Sequence, residues 1–184
     1  VKQLLANADI AMYQAKSKGG GGWHVYSEGE GVQEQMQSRL HWEEMINRSL
    51  TTQGFIVHYQ PILDIRARQV SHYEALVRMR AADGSVIPPG MFMDVAEKSS
   101  LIRDIDRHVI RLVFGKMLSL FAAGRHYKFS INLSAVSIND TGLLPFIRDQ
   151  LARNTLLPSH VVFEITETAA VSDFSAARTF MNAV

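Results

Sequence analysis

From Phe55 onward the hydrophobic period switches repeatedly between about two residues and about 3.6, and that switching restricts the chain to an α/β architecture. "FIVHYQPILDI" (55–65) and "QVSHYEALVRMR" (69–80) alternate as strands do, and the short "RAR" between them suggests a hairpin. "AADGS" supplies a turn, and "PPG" introduces a helix from about Gly90 to Lys98. A longer helix is expected from about Ile102 to Ala123, stopped by Gly124, with Arg125 and His126 beside its negative end. "YKFSINLSA" reads as a strand and is followed by a helix near Gly142 to Asn154. "HVVFEITET" reads as the next strand, and a last helix starts after Ser172 or Asp173. The order β-β-α-α-β-α-β-α favours parallel strands joined by right-handed crossovers.

Strands buried on both faces read as nearly continuous apolar runs. These do not. In the second strand Tyr73, Ala75, Val77 and Met79 share one face, and His72, Glu74, Leu76 and Arg78 the other. In the third, Phe129, Ile131 and Leu133 oppose Lys128, Ser130, Asn132 and Ser134. In the fourth, Val161, Phe163 and Ile165 oppose Val162, Glu164, Thr166 and Thr168. In a barrel that second face is the interior, and Glu74, Asn132 and Glu164 would converge there from three parallel strands. Two carboxylates and an amide carbonyl are hard oxygen donors, suited to Mg²⁺ or Mn²⁺ rather than zinc or copper. Arg78 on the same face can grip a phosphate through two parallel hydrogen bonds. Together these groups suggest phosphoester hydrolysis by a metal-activated water. A polar face turned to solvent explains the same alternation, and spacing alone does not choose between the two.

The net charge of +1 offers no general attraction for a nucleic acid polymer or an anionic membrane, so local groups must hold any phosphate-bearing ligand. The absence of cysteine excludes disulfides and thiolate metal sites and accords with a reducing, cytoplasmic setting. No apolar run reaches the roughly 18 residues that span a bilayer, so no membrane contact is expected within this chain. The seven histidines lack metal-ligand spacing; His58 and His72 face one side of neighbouring strands, where packing or hydrogen bonding accounts for them. "GGGG" (19–22) lacks the Lys-Ser/Thr of a phosphate loop. The first residue is Val1, and the chain is expected to be a piece of a longer protein.

"YEALVRMR" carries an E-A-L-x-R motif and resembles the EAL domain family, which hydrolyses cyclic di-GMP in bacterial signalling. "HYQPILDI", "IPPGMFMDVAEKSSLI", "FSINLS" and "FEITET" resemble further segments of that family in the same order, over about Leu40 to Val184. The resemblance implies a TIM-like (β/α) barrel whose first strand runs antiparallel to the rest. It also implies hydrolysis of cyclic di-GMP to linear pGpG with two Mg²⁺ or Mn²⁺ ions. By position, Glu74, Asn132 and Glu164 match the family's metal ligands, Arg78 the arginine on a substrate phosphate, and Gln60 a glutamine of the substrate pocket. Glu167 matches the second glutamate of E-x-T-E, which steadies the loop carrying the next catalytic motif. The family's Asp-Asp pair and a later lysine would lie beyond Val184. A full barrel takes about eight strands and about 250 residues, so this chain is expected to be an incomplete barrel, inactive alone. A domain that has lost a catalytic group and only senses the nucleotide is the alternative.

The first segment, "LLANADIAMYQAKSKGGGG", resembles the closing helix of a GGDEF (diguanylate cyclase) domain, with Lys16 matching a lysine that helps hold GTP phosphates. Gly20 and Gly21 stand where that pattern has arginine and asparagine, which counts against cyclase activity, and a generic amphipathic helix explains the spacing too. The organisation expected is a GGDEF remnant over 1–28, a linker helix over 29–50 and the first half of an EAL domain over 51–184. The linker helix, with Trp42, Met45 and Ile46, is suited to joining two domains or pairing two copies, so a homodimer is expected through this helix or through the EAL domain. A packed intramolecular face explains it equally well.

Overall fold

The alternating stretch 55–80 folds as the hairpin its pattern calls for. In the computed structural model, which describes residues 4, 7, 8, 11, 12, 15, 23–26, 31–154, 156–165 and 174–183, β1 (Phe55–Asp64) pairs antiparallel with β2 (Gln69–Arg80). Asp64 makes the turn: its Oδ1 accepts from the amides of Arg66 at 2.8 Å and Ala67 at 2.9 Å, and Arg68 completes it at φ 52°. The segment expected to resemble a GGDEF helix, Lys16 included, lies largely outside the described residues.

The chain divides into two units, residues 1–44 and 45–184. Helix α1 covers Gly31–Thr51. In the first unit Arg39 and Glu43 pair at 2.8 Å one helical turn apart, and His41 meets the Trp42 ring edge-on.

In the second unit the remaining elements are β3 (Val86–Ile87), a 3₁₀ turn at Pro89–Met91, α2 (Met93–Lys98), α3 (Ile102–Ala122), β4 (Phe129–Leu133), α4 (Ala135–Ile138), α5 (Leu143–Arg153), a 3₁₀ turn at Pro158–His160, β5 (Val161–Ile165) and α6 (Phe174–Ala183). The sheet order is β1-β2-β4-β5, with β3 added to β2. β2, β4 and β5 run parallel, and β1 is antiparallel to them. This is a mixed, unclosed sheet with helical crossovers, consistent with an incomplete (β/α) barrel.

The core follows from the two periods. Helix α3 buries Ile102, Ile105, Asp106, Val109, Ile110, Val113, Phe114 and Met117, a stripe at three- and four-residue steps. That stripe packs on β1 and β4. The sheet face beneath supplies Phe55, Ala75, Met79, Phe129, Ile131 and Leu133, all buried. Tyr59 stands edge-on to Phe129 with ring centroids 5.4 Å apart, and burial pushes its hydroxyl up to about 12. Gly124 ends α3 at φ 72°, and Arg125 N donates to Leu120 O at 2.9 Å, so a left-handed residue closes the helix.

The structure departs from the sequence expectation in three places. The helix expected from Gly90 is broken at Phe92 (φ −128°), whose fully buried side chain anchors the break. The strand expected over 127–135 is shorter, because Ser134 leaves it to cap α4: its Oγ accepts from Ser137 N at 3.1 Å. The two-residue β3 is too short for periodicity to reveal.

Candidate active site

Each strand that buries an apolar face presents a polar one on the other side. Register places these groups side by side. Gln60 on β1 lies opposite Glu74 on β2, Glu74 is level with Ser130 on β4, and Asn132 is level with Glu164 on β5. Asn132 Nδ2 donates to Glu74 Oε1 at 2.9 Å, a contact that joins two parallel strands through side chains alone. Asn132 is exposed, and Glu74 and Glu164 are half-buried.

Three of the residues singled out from the sequence are therefore gathered by adjacent strands, with Gln60 next to Glu74. Glu74 and Glu164 are separated by two strand spacings and one same-face step, about 12 Å between backbones. Their carboxylates share one cation only by leaning toward Asn132 between them, as Glu74 already does. The amide spends its nitrogen on Glu74, which leaves its carbonyl oxygen as a free acceptor. Among the described residues no three His, Cys, Asp or Glu side chains gather to hold a metal ion. The cluster here is two carboxylates and an amide, a donor set that fits a hard cation retaining part of its water shell.

Arg78 is on the same face, four residues beyond Glu74 and about 13 Å farther along the strand. Its Nη1 donates to Val77 O at 2.8 Å, so the guanidinium is folded against its own strand. His58 is exposed opposite Leu76, and His72 contacts Ser71 Oγ at 3.2 Å. Glu167 lies outside the described residues.

Sequence reasoning missed Asp106. The available signal was a carboxylate between Ile105 and Val109, inside the apolar stripe of a helix. Asp106 Oδ2 accepts from Ser134 Oγ at 2.7 Å and from Ser134 N at 3.1 Å, where β4 ends. Burial pushes its carboxyl above the ordinary range, against the pull of the hydrogen bonds it accepts. Nearby, Arg107 pairs with Asp140 at 2.6 Å, and Asp140 Oδ1 accepts from Gly142 N at 2.9 Å; that amide and Arg107 hold the Asp140 carboxyl below its usual range.

A raised folded pKa means that the native state binds the Asp106 proton more tightly than the unfolded chain. The stability linked to that proton is fully present below the unfolded carboxyl value and is lost as pH rises through the folded one. Asp106→Asn removes this dependence. The unfolding temperature of the variant, followed from pH 4 to 8, should therefore fall less with rising pH than that of the parent. Parallel curves would contradict the assignment.

The EAL domain family profile matches residues 43–184. This chain belongs to the EAL domain family. Of the triplet that names the family, Glu74 and Leu76 lie on the open face and Ala75 is buried on the other. Among curated relatives, the chain is 32% identical over 176 residues to the bifunctional diguanylate cyclase/cyclic di-GMP phosphodiesterase MucR of Pseudomonas aeruginosa, covering 95% of this chain and 25% of that protein. It is 33% identical over 176 residues to the biofilm architecture maintenance protein MbaA of Vibrio cholerae, covering 95% of this chain and 22% of that one. Among solved EAL structures, it superposes on the MucR phosphodiesterase in complex with c-di-GMP with a TM-score of 0.71 at 30% identity, over 77% of this chain and 58% of that one. The FimX EAL domain of Pseudomonas aeruginosa bound to c-di-GMP gives a TM-score of 0.68 at 30% identity, over 77% and 57%. The chain thus spans about a quarter or less of these curated relatives. Among the described residues no helix is long and apolar enough to cross a membrane.

Proposed function

We propose that the protein containing this chain hydrolyses cyclic di-GMP to linear pGpG at a site centred on Glu74, Asn132 and Glu164. The observation that carries this reading is the hydrogen bond from Asn132 to Glu74 on the open face, which holds an amide and a carboxylate from adjacent parallel strands together, with Glu164 level with Asn132 on the next strand. Two Mg²⁺ or Mn²⁺ ions, when bound, would supply Lewis acidity and an acidified water. The side chains of Glu74, Asn132 and Glu164 would hold those ions. Arg78 exchanges the Val77 carbonyl for a substrate phosphate, a stronger acceptor because it is charged. Gln60, beside Glu74, borders the pocket that orients the nucleotide, and Glu167 steadies the loop after β5. The MucR phosphodiesterase structure, a complex with c-di-GMP, supports the choice of substrate.

On this reading residues 51–184 are the first half of a TIM-like barrel that later residues close, and Asp and Lys groups beyond 184 complete the site. Residues 29–50 link it to a GGDEF remnant over 1–28, in which Lys16 is the former phosphate contact.

The test is a product assay on the intact protein. Linear pGpG should accumulate with Mn²⁺, stop on chelation and resume when Mn²⁺ is restored. Tight binding of cyclic di-GMP with no product at saturating Mn²⁺ would establish a receptor instead. Turnover by residues 1–184 alone would refute the half-barrel reading.

A further inference from the structure

We infer that Asp106 is a positioning residue for this site: from α3 it pins the end of β4 at Ser134 and so sets where Asn132 meets Glu74. The inference rests on the proposed hydrolysis and adds a residue that does not touch substrate or metal.

The argument starts from the cost of the group. Asp106 sits in the apolar stripe of α3 with 5% of its surface exposed. The adjacent cation, Arg107, is engaged with Asp140. A buried carboxylate without a paired cation is costly, and an apolar residue of similar size generally serves stability better. The carboxylate is matched instead to the serines at the end of β4 and the start of α4: the Ser137 hydroxyl beside it favours its charged form, and Ser134 donates to it directly. A single oxygen, Oδ2, takes both the backbone amide and the hydroxyl of Ser134. With the hydroxyl proton so directed, Ser134 Oγ presents its lone pair to Ser137 N and starts α4. One side chain thereby fixes the strand end, the serine rotor and the first turn of the next helix.

That strand end needs fixing. The ladder between β2 and β4 covers Phe129, Ser130 and Ile131 and stops there. Asn132 is one residue beyond it. On the β5 side Asn132 is held by its pairing with Glu164, but on the β2 side the contact is the side-chain bond to Glu74. Ser134 is two residues farther on, and tethering it to α3 restrains the backbone on which Asn132 swings. A misplacement on the order of 1 Å in such a constellation costs about 10²-fold in rate.

The experiment compares Asp106→Ala, Asp106→Asn and Val113→Ala in the intact protein. Val113 is fully buried in the same helix stripe, so Val113→Ala serves as a matched loss of stability from α3. The readouts are kcat, KM, the Mn²⁺ midpoint and, without metal, the NMR resonances of the Asn132 side-chain amide. Asp106→Ala should lower kcat or raise the Mn²⁺ midpoint about 10- to 100-fold, with KM within about 3-fold, and should move the Asn132 resonances. Asp106→Asn, whose carbonyl still accepts from Ser134, should recover part of the loss. Val113→Ala should lower the unfolding temperature and move neither readout. The inference is overturned if Asp106→Ala leaves the kinetics and the Asn132 amide at their parental values, or if Val113→Ala reproduces both changes. Should Asp106→Ala not fold, Asp106→Leu, which fills the space without an acceptor for Ser134, decides by the same criteria. A parent that shows no cleavage sinks the proposed hydrolysis, and the Asn132 resonances still decide the positioning role.

Discussion

Glu74→Ala in the intact protein is expected to lower cyclic di-GMP cleavage by about 10³-fold, equivalent to about 4 kcal/mol of transition-state stabilisation. The change removes a charged oxygen donor and frees the Asn132 amide to rotate, since Glu74 Oε1 is the acceptor that orients it. The fold should tolerate it. Glu74 is half-buried on the open face, and losing one such hydrogen bond costs about 1 kcal/mol. Product assays and thermal unfolding on the same preparation separate the two effects. Glu74→Gln sharpens the comparison, because it keeps an acceptor for Asn132 and removes only the charge. Full activity in Glu74→Gln would mean that the carboxylate is not a cation ligand.

Gly54→Ala is expected to destabilise the protein by about 3 kcal/mol, lowering the unfolding temperature by roughly 6–12 °C. Gly54 joins α1 to β1. A Cβ there would stand 2.9 Å from Ser49 Cα and 2.8 Å from Ser49 Oγ. The nearest obstacle is partly backbone, so no side-chain rotation relieves it. Relief would have to come from the backbone, where Gly54 N donates to Ser49 O at 3.0 Å and Gly54 O accepts from Arg80 N at 2.8 Å. The strain therefore reaches the far end of β2, the strand that carries Glu74 and Arg78. Gly115→Ala provides the opposite control. Gly115 lies inside α3 with nothing near its absent Cβ, and alanine there should stabilise by about 1 kcal/mol. A parental unfolding temperature in Gly54→Ala would refute the first argument, and a lowered one in Gly115→Ala the second.

The sequence made the hairpin and the long helix legible because each carries many repeats of its own period. The hairpin alternates over both strands around a four-residue turn, and α3 holds its stripe from Ile102 to Met117 before a glycine stop. β3 and α4 were not legible, since two residues and one helical turn contain no full period. Phe92 broke a helix for a tertiary reason, burial of its ring against Phe55 at 5.8 Å, which no local rule encodes. Alternation put Glu74, Asn132 and Glu164 on the face opposite the apolar residues, but that face carries other polar groups too, so the EAL resemblance rather than spacing singled them out. Their mutual register could not be read from alternation, because it depends on how β4 slides against β2 and β5. Asp106 escaped for the converse reason. Its position obeys the helical period, so only its charge was out of place, and its partner Ser134 is far away in sequence.

Because β1 runs antiparallel to β2, the Asp64–Arg68 turn emerges at the pole opposite the chain reversals that follow β2 and β4. Its residues are exposed, and it closes on its own Asp64. A fluorophore or an inserted peptide between Arg66 and Ala67 would ride at the remote end of the sheet, where it could tether or report on the domain without crowding the proposed site.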